Sequence, residues 1–149
     1  MHSVAKQIER LFNHGKLQNL DDDKKLEILI RYWTIIEEEN EEAWSDIKKL
    51  DDPDAKGRKD FQYKLLELTG WIAWSLIGYE ILGRSYVEGC GMHWDNVRNL
   101  VKAASQIDWR KDGQYAHATG EVGGPIIFRD MQRQLPPDVA AVQQPGNAE

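Results

Sequence analysis

Cys90 and His93 stand two residues apart in Cys90-Gly91-Met92-His93, a spacing that metal sites use for one pair of ligands. A structural zinc ion needs four ligands, and no second Cys/His pair accompanies this one; His2, His14 and His117 fall on different expected elements. No metal or other cofactor is expected. The run Glu37-Glu38-Glu39-Asn40-Glu41-Glu42 concentrates carboxylates, but acid/base catalysis needs carboxylates whose surroundings separate their pKa values inside a pocket. On a helix such a run is a solvated face, and its functional alternative is docking to a basic protein surface or imitation of DNA charge. Asp51-Asp52-Pro53-Asp54 lacks the alternating oxygen ligands, central glycine and closing Glu of a calcium loop and reads as a turn. Ser45, Ser75, Ser85 and Ser105 have no nucleophile-elbow context, and no phosphate-cradling glycine loop occurs. No catalytic residue is assigned, and the chain is read as a non-enzyme. The exception would be a pocket that gathers Cys90, His93 and a carboxylate.

Two further groups could recognise a partner. In Ile107-Asp108-Trp109-Arg110-Lys111-Asp112 a tryptophan flanked by charge sits at an expected helix end, where it either caps the domain or anchors a partner. Glu37, Glu38, Glu41, Glu42, Trp94 and Trp109 are therefore the candidate protein-binding residues. Arg98, Lys102, Arg110, Lys111, Arg129 and Arg133 make the C-terminal third locally basic and form the alternative, nucleic-acid-binding set, although the patch is diffuse. Trp71 and Trp74 lie one turn apart and read as core.

These residues need elements to place them. Ser3 is positioned to cap a short helix carrying Val4, Ile8, Leu11 and Phe12, stopped at Asn13-His14-Gly15. Asp21-Asp22-Asp23 supplies negative charge for a helix N-terminus, and Leu26, Leu29, Trp33, Ile36, Asn40, Ala43, Ile47 and Leu50 follow at three- and four-residue steps. That spacing predicts one long helix from about Asp22 to Leu50. After the turn at 51–57, the stripe Phe61, Leu65, Leu68, Ile72, Leu76, Tyr79 predicts a second, central helix from about Arg58, with close contacts or a bend near Gly78 and Gly83. Gly89-Cys90-Gly91 is a break. Val97, Leu100, Val101, Ala104 and Ile107 mark an amphipathic helix ending near Asp108. Residues 109–128, with five glycines or prolines between Gly113 and Pro125, predict an ordered loop or small hairpin, before a short helical segment from Arg129 to Leu135. The sum is an all-α bundle of about four to five helices, two of them long. It is expected as one domain over residues 1–135, with a flexible tail over 136–149.

Composition bounds the function. With 41% hydrophobic residues, 30% charged and six Trp, the chain is too apolar for disorder. A net charge of −6 argues against a dedicated nucleic-acid binder. One cysteine and an N-terminus without a signal-type apolar run point to the cytoplasm. The stretch from Trp71 to Tyr79 is bounded by Glu67 and Glu80 and falls short of the roughly 20 apolar residues that span a bilayer, so no membrane is expected.

From Tyr32-Trp33 through Trp44, the apolar helix, the glycine-rich break before Trp94 and Ile107-Asp108-Trp109, the chain resembles the C-terminal helical region of DGQHR-type proteins. That group includes the DNA sulfur-modification regulator DndB. The resemblance covers roughly residues 1–135 and lacks the N-terminal portion carrying the namesake motif. Asp112-Gly113-Gln114-Tyr115 repeats three of its letters without the His-Arg pair, in a different context, and carries over no site. The resemblance implies a helical module of a bacterial or phage DNA-modification or defence system, acting on a protein partner or through self-association, and alternatively a DNA-binding regulator.

Overall fold

A computed structural model of the chain describes residues 9–12, 15–54 and 61–138. The polypeptide is mainly helical, with one two-stranded sheet among the described residues. After a helical turn at 9–12 that buries Leu11 and Phe12, and a 3₁₀ turn at Gly15–Leu17, helix α1 spans Asp22–Glu39. Its start is the one the aspartates specify: the Asp21 carboxylate accepts the Lys24 amide at 2.8 Å, and Asp22 and Asp23 occupy the first turn. Ile28, Leu29, Tyr32, Ile35 and Ile36 form its buried face.

The long helix expected to Leu50 breaks at Asn40, whose backbone leaves the helical region at φ −137°, ψ 45°. The Asn40 amide nitrogen donates to the Ile36 carbonyl and to Ser105 Oγ, both at 2.9 Å, so its side chain substitutes for the helical ladder while tying α1 to a residue far along the chain. A single turn, α2 (Glu41–Trp44), and a 3₁₀ run, Ser45–Leu50, follow.

The start expected at Arg58 lies outside the described residues, and the stretch from Phe61 to Glu67 is not helical. The buried carboxylate of Asp46 accepts the amides of Gln62 and Tyr63 at 3.1 and 2.9 Å, and Tyr63 pairs antiparallel with Arg110 in an isolated bridge. Helix α3 (Leu68–Ser85) then runs through the core with Ile72, Ala73, Trp74, Ile77, Ile81 and Leu82 buried. Gly78 faces α1: a Cβ there would sit 2.4 Å from Leu11 and 2.9 Å from Tyr32 Oη, which itself donates to the Trp74 carbonyl at 2.6 Å.

Strands β1 (Tyr86–Val87) and β2 (Gly91–Met92) form a hairpin at the Gly89-Cys90 break, with Gly89 at φ +83° supplying the left-handed turn residue. The hairpin is therefore here and not in residues 109–128. Helix α4 (Trp94–Ala104) ends earlier than Asp108. Helix α5 occupies Gly120–Gln134, so much of the expected glycine-rich loop is helix. Gly124 explains why: a Cβ there would meet Ile72 at 2.4 Å, so the glycine is a packing residue that lets α5 lie against α3. The two helices run parallel, with Gly120 bonded to Thr69, Gln132 to Glu80, and Arg84 to the Pro136 carbonyl at 2.6 Å. The expected tail begins with a pinned residue, and 139–149 lie outside the described residues, as do Val4 and Ile8. No helix among the described residues is long and apolar enough to cross a membrane.

Candidate protein-interaction surface

The break at Asn40 brings the acidic run against the segment after α4. Glu39, Glu41 and Glu42 on one side, Tyr63 on the second, and Asp108 and Arg110 on the third line an open cleft of about 340 Å³. Glu42 accepts the Tyr63 hydroxyl at 2.6 Å, and that hydrogen bond raises the phenol's pKa from its ordinary value. The Arg110 guanidinium holds the Asp108 carboxyl well below the usual carboxylate range, with the backbone amides of Gln114 and Arg110 contributing. Glu38 and Glu39 are drawn into the fold by Arg98, at 2.5 and 2.8 Å. Glu37 and Glu41 remain exposed, without an ion pair among the described residues.

The cations of the nucleic-acid alternative are mostly neutralised. Arg98 serves Glu38 and Glu39, Lys102 lies 3.9 Å from Glu39, Arg110 pairs with Asp108, Lys111 with Glu67 at 2.8 Å, and Arg133 with Asp130. Arg129 alone of the six is exposed with no ion pair among the described residues. Counter-ion release from DNA requires cations that exchange their partners for phosphate, and here five already hold a carboxylate.

The two candidate tryptophans part company. Trp109 is 5% exposed and stacks on Trp74, ring centroids 5.9 Å apart, so it caps the core and is not an exposed anchor. Trp94 is half-buried with the Arg31 guanidinium 4.6 Å above its ring. A different set of tryptophans reaches the surface. Trp33 on α1 contacts Trp44 on α2 at 6.1 Å and Trp71 on α3 at 4.6 Å, and all three are only partly buried. Exposed Ile30 (60%) lies one turn before Trp33, and exposed Ile47 (41%) one 3₁₀ turn after Trp44. Glu37, four residues after Trp33, and Glu41, three before Trp44, give this face an acidic edge.

The sequence reading missed this ladder because it placed Trp71 with Trp74 in the core. A helix apolar on most sides does not reveal which face is left open. The only available signal was that Trp33 and Trp44 each lie beside the acidic run.

Elsewhere the chemistry is sparse. Cys90 and His93 are exposed at and beside the hairpin, His117 is exposed, and among the described residues no three His, Cys, Asp or Glu side chains are grouped to hold a metal; His2 and His14 lie outside them. No family model, curated protein or solved structure matches the chain.

Proposed function

We propose that the chain is a non-enzymatic protein-interaction module whose Trp33–Trp44–Trp71 face receives an apolar segment of a protein partner flanked by basic side chains. The observation that carries this reading is the contact of three tryptophans from three different helices that nevertheless remain partly exposed, bordered by two exposed isoleucines. Contiguous apolar surface of this kind marks interaction sites, and tryptophan is enriched among the residues that dominate binding energy. Glu37 and Glu41 at its edge favour Lys or Arg on the partner and speed encounter. The same edge disfavours a two-fold self-association, which would set like charges against each other in a chain of net charge −6. The resemblance to DGQHR-type proteins supplies the setting proposed for the partner, a DNA-modification or defence assembly.

The test is nuclease-treated affinity purification with the unaltered chain beside the Trp44→Ala/Ile47→Asp double variant, each checked for an unchanged helical spectrum. A stoichiometric partner that is retained by the first, lost by the second and released by moderate salt supports the reading. A partner held equally by both, or duplex DNA binding at low salt that Arg129→Ala weakens, would replace it.

A further inference from the structure

A second concavity, of about 500 Å³, lies between the Gly15–Leu17 turn and the C-terminal half of α3, lined chiefly by Lys16, Leu17, Tyr79, Glu80, Gly83 and Arg84, with Gly15 and Asp138 at its rim. Its size is that of a small-molecule site. The three glycines of α3 set it apart. A Cβ at Gly70 would come within 2.0 Å of the Leu65 carbonyl oxygen, and one at Gly78 within 2.4 Å of Leu11, so both are required by packing inside the chain. A Cβ at Gly83 would meet no described residue within 4 Å. Glycine weakens a helix, and at this position no packing contact among the described residues calls for it. What Gly83 does provide is a strip of bare backbone in the cavity lining, one turn beyond Tyr79, which is 42% exposed.

The charges around the cavity are unequally engaged. Arg84 donates to Glu80 and to the Pro136 carbonyl, both at 2.6 Å. Glu80 accepts from Arg84 on one oxygen and from Gln132 on the other at 3.1 Å. Asp138 is engaged as well. Lys16 is exposed, and its only partner among the described residues is the Tyr86 carbonyl at 3.3 Å. The ammonium can therefore turn to an anion at little loss.

From this arrangement we infer that the cavity binds a planar aromatic carboxylate, its ring lying against Tyr79 over the exposed backbone of Gly83 and its carboxylate meeting Lys16. The site is on a different part of the surface from the tryptophan ladder and does not depend on the function proposed for that face.

The experiment titrates the full chain with 2-naphthoate and, separately, with the neutral 2-naphthylmethanol, following backbone amide resonances. Naphthoate is expected to shift the amides of Gly15, Tyr79 and Gly83 in a saturable way. Lys16→Met should weaken naphthoate about tenfold, the scale of one charge contact, and leave the alcohol unchanged. Gly83→Leu, for which the helix has room, should abolish both while the helical spectrum persists. Shifts confined to other residues, or naphthoate binding unaltered by Gly83→Leu, would overturn the site. Equal loss of both probes in Lys16→Met would overturn the assignment of an anionic ligand.

Discussion

The six tryptophans divide into two contacts that use the same side chain differently, with Trp94 standing apart under Arg31. Trp74 and Trp109 are stacked, 0% and 5% exposed, and both indole N–H groups are buried without a hydrogen-bond partner among the described residues. Leaving such donors unpaired costs about 1–3 kcal/mol each, so the pair persists because two large rings removed from water contribute more than that. Trp33, Trp44 and Trp71 touch as closely, and Trp33 and Trp44 pack against the core, but all three keep part of their surface in water, so the chain gains less from them. The first group serves the fold. The second makes sense as a surface completed by another molecule.

The largest expected effect tests that division directly. Trp74→Ala should lower the stability measured by urea unfolding by about 3–5 kcal/mol, the range for removing a fully buried large side chain. Trp44→Ala should lower it by less, because the removed ring was already partly in water. If the two variants lose the same stability, the ladder is core and the proposed interaction surface fails.

The division was only half legible in the sequence. The start of α1 could be read because capping is local: Asp21 meets the amide three residues on. The break at Asn40 could not, because the hydrogen bond that fixes it ends on Ser105. The same holds for Phe61 to Glu67, where apolar residues at helical spacing are kept out of a helix by Asp46 and by the Tyr63–Arg110 bridge. Glycine was misread in the opposite sense. Gly123 and Gly124 looked like loop residues, yet their missing side chains make room for the Ala118 backbone and for Ile72, and α5 forms around them. Of the candidate site, the acidic run and the Ile107-Asp108-Trp109 segment were visible separately. Their meeting across one cleft, and the exposure of Trp33, Trp44 and Trp71, depend on that hidden break.

A smaller effect separates the two groups by pH. Asp108 sits beside Trp109, and its folded carboxyl is held below the ordinary range by Arg110 and by the Gln114 and Arg110 amides. A depressed folded pKa means that the contribution is complete above the unfolded value, about 4. It is lost progressively as pH falls through that value toward the lower folded one. Stability at pH 3 should therefore be reduced relative to pH 6, and the gap between the unaltered chain and Asp108→Asn should narrow over the same interval. A gap that is constant with pH would remove Asp108 from the account of how Trp109 is held.

The smallest effect has the opposite sign and concerns the open side of the molecule. Gly83→Ala places a methyl group where no described residue lies within 4 Å, in a helix where alanine is favoured over glycine by at most about 1 kcal/mol. The variant should melt higher by a few degrees, the shift that such an increment produces in a domain of this size. Gly78→Ala in the same helix should melt lower, because its methyl group would press on Leu11 and Tyr32. Opposite signs at two glycines five residues apart would show that one is set by internal packing and that the other is not. Destabilisation by both would mean that Gly83 too is required by the fold.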